Sequence, residues 1–199
     1  MRRKTFDLLA VIGGLVLTVV LTVAGGLLLW GHNFVGDQVH TQLAAQKIYF
    51  PPASSGAIKA LPAADAKAMT AYAGQQMTSG AQAQTYADHF IAVHLREIGG
   101  GKTYAQLSAA SLAQPKNAAL AAQVQTMFRG ETLRGLLLNA YAFWEMGRIM
   151  LIGAIVAFAA AAVMLIMSVF GVAHLRRVPA EAEIFGGRTA PAHQPTPAV

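Results

Sequence analysis

The sequence predicts an all-α fold: two transmembrane helices joined by a small extracytoplasmic helical domain, the last outer helix continuous with the second span. Three observations lead there. Residues 8–30 and 149–172 are two long apolar stretches almost free of charge, and roughly 20 such residues, rising 1.5 Å each, cross a ~30 Å hydrocarbon core as a helix. Basic residues flank both stretches on the same side: Arg2, Arg3 and Lys4 before the first, and His174, Arg176 and Arg177 after the second. Between the spans, apolar residues recur at helical spacing and are punctuated by capping residues.

The chain of 199 residues is 55% hydrophobic, with a mean hydropathy of +0.45. That is too apolar for an ordinary soluble domain. The formal charge of +6 does not point to nucleic acid, because five of its cations flank the spans and the segment between them lacks a basic run. No cysteine is present, so a disulfide framework and a thiolate metal site are both excluded.

The first span reads as an uncleaved signal-anchor, because its apolar run exceeds the ~7–15 residues of a signal peptide and no A-x-A site follows. Positive charge beside both spans places both termini in the cytoplasm of a plasma-membrane protein. The resulting division is 1–7 cytoplasmic, 8–30 first transmembrane helix, 31–145 extracytoplasmic, 146–173 second transmembrane helix, and 174–199 a disordered cytoplasmic tail. Trp30 and Trp144 fall at the outer interface, where amphipathic rings concentrate. Arg148 is an exception to the charge bias.

In the outer segment, Pro51 and Pro52 hold the chain extended from Ile48. Pro62 opens a helix, with Asp65 at its positive end, expected to run to about Met77. Ser79 then offers a cap for a second helix, 81–98, whose apolar stripe is Ala83, Ala87, Phe90, Ile91, His94 and Ile98. Three glycines, Gly99, Gly100 and Gly101, end it. Thr103 and Gln106 match a capping box for a short helix to about Ala113. Gln114 and Pro115 stop that helix, and Asn117 caps a last long one. Gly130, Gly135 and Gly147 are its expected bending points. No strand pattern or internal repeat is evident.

Small residues recur every fourth position in the spans: Ala10, Gly14, Thr18, Thr22 and Gly26 in the first, and Gly153, Ala157 and Ala161 in the second. Small residues let helix backbones approach closely in lipid. These faces serve either packing of the two spans on each other or contact with a second copy or a membrane-protein partner. No acid, base or histidine lies at either span's centre, which discounts transport by this chain alone.

His89, His94 and Glu97, with Asp88 adjacent, are the candidate metal ligands, since two histidines and a carboxylate hold non-haem iron or zinc. A five-residue step sets the two histidine rings about 140° apart on a helix, so a core role for His94 is the simpler account. The run Gly99 to Thr103 has Gly-Lys-Thr in common with a phosphate loop but carries Arg96 where the first glycine belongs. A helix stop followed by a capped start explains it. Glu131 and Arg134 are i,i+3 neighbours suited to a local ion pair. Ser79, Ser108 and Ser111 have no histidine and acid arranged around them. The sequence therefore assigns no catalytic residue, no cofactor and no metal.

Several motifs recur together: Phe50-Pro51-Pro52, Tyr72-Ala73-Gly74-Gln75-Gln76, the run 86–95 containing Asp88, His89 and His94, Gly101-Lys102-Thr103-Tyr104, and the run 128–144 from Phe128 to Trp144. On these the chain resembles a family of actinobacterial two-span membrane proteins, over most of its length except the tail. Some members carry the label aromatic ring-opening dioxygenase, small subunit. That label implies cytoplasmic iron chemistry, although no ligand carries over position by position. The leading expectation is a non-enzymatic envelope scaffold or accessory subunit in the lipid bilayer. A membrane-anchored sensor of an extracytoplasmic ligand is the first alternative, and a metal-dependent dioxygenase subunit the second.

Overall fold

The computed structural model describes residues 3–177 and 179; the expected tail beyond them, Arg2, and the side chain of Arg3 lie outside what is described. Among the described residues the chain is helical, in the order α1 Arg3–Gln46, α2 Gly56–Lys59, α3 Ala63–Thr70, α4 Gly80–Tyr86, a π-helical turn Ala87–Ile91, α5 Ala92–Ile98, α6 Tyr104–Ala113 and α7 Ala118–Leu175. Two of these, α1 and α7, are long and apolar enough to cross a membrane. The chain divides into two compact units: Met1–Leu28 with Ile152–Val199, and Leu29–Leu151.

The first unit is a helix pair. On α1 the positions turned from solvent include Asp7, Val11, Gly14, Thr18, Leu21, Gly25 and Leu28, at alternating steps of four and three. On α7 they include Ala154, Ala157, Ala161, Met164, Ser168 and Gly171. A repeat of 3.5 residues keeps one seam facing a partner helix, as in a coiled coil. Close approach occurs at glycines: a Cβ on Gly25 would lie 2.9 Å from Phe158 Cε1, and one on Gly14 would collide with Ser168 Oγ. The hydroxyl of Thr18 donates to Gly14 O at 2.8 Å and that of Thr22 to Thr18 O at 2.8 Å, so each is satisfied on its own helix. The outer surface is left apolar and exposed, with Val16, Val19, Val23, Ile155, Val156 and Phe170 among its residues.

In the second unit α1 continues well past Trp30. The pattern Val35, Val39, Leu43 continues an inward face there, and Val39 and Leu43 are buried. The helix ends where Lys47 takes a left-handed conformation, φ 53°. The chain then runs extended, and residues 48–50 pair with 74–77: Phe50 N donates to Gln75 O at 2.9 Å and Met77 N to Ile48 O at 2.8 Å. The helix expected to reach Met77 therefore stops at Thr70. The turn that follows carries Gly74 at φ +74°, which glycine adopts without the steric penalty of a Cβ.

The expected 81–98 helix contains a π turn. Ala83, Ala87, Ile91, Leu95 and Gly99 are all buried, one every fourth residue. In a straight α-helix that spacing drifts about 40° per step; the wider turn takes the drift out. The rotation turns Val93 and Leu95 inward and leaves Ile98 exposed, which corrects the stripe expected from the sequence.

The caps read from the sequence are present. Ser79 and Gln82 form a capping box, as do Thr103 and Gln106, and Leu120 N donates to Asn117 Oδ1 at 3.0 Å. Gly101 N reaches Arg96 O at 2.9 Å and Gly100 N reaches Glu97 O at 3.0 Å, the paired bonds of a Schellman stop. Gly130 serves close packing, because a Cβ there would run into Leu95 Cδ2 and lie 3.2 Å from its Cγ. Phe50, Met69, Met77, Met127 and Leu137 are the largest fully buried side chains and mark the core of this unit.

Candidate functional site

In the second unit a groove of about 500 Å³ lies between α1 and α7. Its α1 wall carries Phe34, Val35, Gln38, Val39, Gln42, Leu43 and Gln46, and its α7 wall Leu133, Leu136, Leu137, Asn139, Ala140 and Phe143. Both walls repeat at three- and four-residue steps because both are helix faces. The floor is Val39, Leu43 and Leu137, which are buried. Above it stand four large apolar side chains in the open: Phe34, Leu133, Leu136 and Phe143, with Leu136 62% exposed. The polar part of the lining is carboxamide, from Gln38, Gln42, Gln46 and Asn139.

One end of the groove is held by His32, whose Nδ1–H donates to Gly147 O at 2.9 Å. A carbonyl only accepts, so Nδ1 carries the proton. Trp30 stacks on Phe34 with centroids 5.5 Å apart and is 65% exposed, so the apolar strip runs on along α1 beyond the groove. At the other end Gln76 Nε2 donates to Ala44 O at 2.8 Å, a carbonyl that also accepts from Lys47 N at 3.1 Å. The carboxamides that form the rim gave no motif in the sequence.

The candidate metal ligands lie apart in function. His89 Nδ1 meets Asp65 Oδ1 at 2.7 Å, tying the π turn to α3. His94 Nδ1 donates to Phe90 O at 2.7 Å, and its ring stands 4.5 Å from that of Phe90. Glu97 is exposed on the last turn of α5. Among the described residues no group of three or more histidines and carboxylates is placed to hold a metal. The aromatic chain continues through Tyr86, Phe50 and Tyr72, each neighbouring pair about 5 Å apart. Burial pushes the Tyr86 phenol above its ordinary value of 10.0.

Of the small residues singled out in the spans, Gly14 and Ala161 are buried; Thr18, Gly153 and Ala157 are half-buried; Ala10, Thr22 and Gly26 are exposed. A Cβ on Gly153 would sit 3.2 Å from Leu28 Cδ1. The buried face follows the 3.5-residue seam, so Gly25 joins it and Gly26 does not. Glu131 and Arg134 approach to 3.8 Å, but the closer partner of Arg134 is Asp88, Nη2 to Oδ1 2.9 Å. No sequence signal marks that pair, 46 residues apart. Arg148 lies 5.3 Å above the Trp144 ring and 3.1 Å from Glu145, which gives this cation local partners.

Comparison with protein-family models, curated proteins and solved structures returns no match to the chain.

Proposed function

We propose that the chain is a two-span accessory or scaffold protein of the plasma membrane that works by contact. Its groove between α1 and α7 receives one apolar helix face of a partner membrane protein. Both termini face the cytoplasm, residues 31–145 lie outside, and the kinship with the actinobacterial two-span proteins belongs to the same proposal. The observation that carries this reading is the groove lining: large exposed apolar side chains with carboxamides and no ionisable group among them. Apolar surface left open in this way marks an interaction site.

The occupant is argued from shape. From Phe34 to Gln46 the α1 wall rises about 18 Å, three turns of helix. Two helical walls with three- and four-residue ridges accept a third helix in the groove between them. The apolar strip at Trp30 and Phe34 lets that helix continue along α1. The carboxamides hydrogen-bond polar side chains at the edge of such a helix without the desolvation cost of a charge.

The test is purification in gentle detergent, with the wild type beside Leu136→Glu and the exposed control Leu112→Glu. The expected result is a stoichiometric membrane protein held by wild type and by Leu112→Glu, and lost with Leu136→Glu. Equal retention by all three chains would move the contact away from the groove and overturn the proposal. The topology has its own test, since a cysteine-free chain accepts a single reporter thiol. Ala109→Cys, on the exposed face of α6, is expected to react with a membrane-impermeant maleimide on intact cells. Reaction only after lysis would reverse the orientation.

A further inference from the structure

A second concavity in the Leu29–Leu151 unit, about 300 Å³, is lined by Ala92, Leu95, Arg96, Gly101, Lys102, Thr103, Met127, Glu131 and Arg134. Three cations face one carboxylate there. The geometry points to an anion site at which Arg96, Lys102 and Arg134 hold the phosphate group of a small water-borne solute.

Four observations carry it. Arg134 Nε is buried and has no hydrogen-bond partner, although the Nη2 of the same guanidinium is engaged by Asp88 at 2.9 Å. A buried donor left unpaired is costly, and Arg134 is itself among the residues that line this pocket. Among the described residues neither Arg96 nor Lys102 lies in a salt bridge, so both charges are free for a ligand. Thr103 Oγ1 accepts from Gln106 N at 3.3 Å, which leaves its own proton to donate. The floor is the buried pair Leu95 and Met127, so part of the pocket favours an apolar portion of the solute beside its anionic head.

The glycine turn contributes position and no amides. Gly99, Gly100, Gly101 and Lys102 N–H groups are all used within the turn, by Leu95, Glu97, Arg96 and Gly99 carbonyls, and Thr103 N goes to Gln106 Oε1 at 2.9 Å. This is therefore no phosphate loop; recognition falls to side chains. Guanidinium and ammonium groups match phosphate oxygens in charge and donor geometry. A Cβ on Gly99 would lie 2.5 Å from Lys102 O, so glycine is needed for the tight turn that sets Lys102 beside Arg96.

The solute comes from water and not from the bilayer. Arg134 lies fifteen residues, about 22 Å along α7, before Ile149. The headgroup layer is only about 5–8 Å thick on each side.

The experiment is titration of the full-length protein in neutral detergent with inorganic phosphate, by calorimetry. Saturable binding is expected, weakened about tenfold by Arg96→Gln and by Lys102→Gln, each of which removes one charge-assisted contact. Both residues are exposed, so both variants are expected to melt as wild type does. Phosphate binding that does not saturate, or that both variants retain, would overturn the site. A parallel arm places the protein in nanodiscs of phosphatidylcholine with or without phosphatidylglycerol. Unchanged phosphate affinity supports a water-borne solute, and loss of phosphate binding in the anionic discs would assign the pocket to a lipid headgroup instead.

Discussion

Gly130→Ala and Leu95→Ala, alone and together, probe the contact of α5 with α7. In wild type a Cβ at position 130 would collide with Leu95 Cδ2 and sit 3.2 Å from Cγ, and Leu95 is only 5% exposed. The leucine thus has little room to move away. Alanine in a helix interior is worth about 1 kcal/mol over glycine, and overpacking a filled core costs about 1–3 kcal/mol. Gly130→Ala is therefore expected to be neutral to destabilising by about 2 kcal/mol. Leu95→Ala leaves a cavity and costs about 2–5 kcal/mol. In the double variant the new methyl enters the space that the leucine vacates, so Leu95→Ala should cost at least about 1 kcal/mol less than it does in wild type. Denaturant unfolding followed by tryptophan fluorescence reads this directly, because both tryptophans, Trp30 and Trp144, lie within Leu29–Leu151. Effects that add to within about 0.5 kcal/mol would show that the two residues do not share a space, and the packing described for this unit would be wrong.

Three other perturbations have defined outcomes. Gly14→Ala places a methyl against Ser168 and Gly26→Ala places one in open space; SDS-induced unfolding should shift toward lower detergent for the first and stay or rise slightly for the second, and the reverse order would refute the seam. Raising the pH should destabilise the Leu29–Leu151 unit. The folded Tyr86 phenol is held above 10.0 by burial, so the unfolded chain ionises first and the stability is lost as pH climbs from 10 through the folded value. Tyr86→Phe should flatten that alkaline slope, and an unchanged slope would contradict the assignment. Asp65→Ala should cost about 1 kcal/mol in denaturant unfolding by releasing His89 from α3, whereas Glu97→Ala, on an exposed position, should cost less than about 0.5 kcal/mol.

The helices and their ends were legible wherever one local rule decided them. Thr103 with Gln106, Asn117, and the glycines at 99 to 101 each act over three to five residues, and each stands where those short-range bonds place it. Legibility failed where long-range packing decided. The apolar run 8–30 gives no sign that its helix continues past Trp30, yet Val35, Val39 and Leu43 keep α1 helical by turning one face inward. The π turn is invisible to a 3.6-residue template, since its cause is the need to keep Ala83, Ala87, Ile91 and Leu95 on one side. A four-residue count marks Gly14 and passes over Gly25, because two helices in contact follow a 3.5-residue seam. The groove was hidden for a related reason. Glutamine at 38, 42 and 46 reads as an ordinary polar face until Leu133, Leu136 and Phe143 are seen across from it.

The most direct test of a contact protein with a partner helix in its groove is photocrosslinking in the native membrane. A photoreactive amino acid at Gln42 on the α1 wall is compared with one at Leu112, an exposed position of α6 that is 81% open. The expected result is a single protein adduct from position 42, whose cross-linked peptide maps to an apolar helix, and none from position 112. Adducts to lipid alone from position 42, or the same adducts from both positions, would contradict the account.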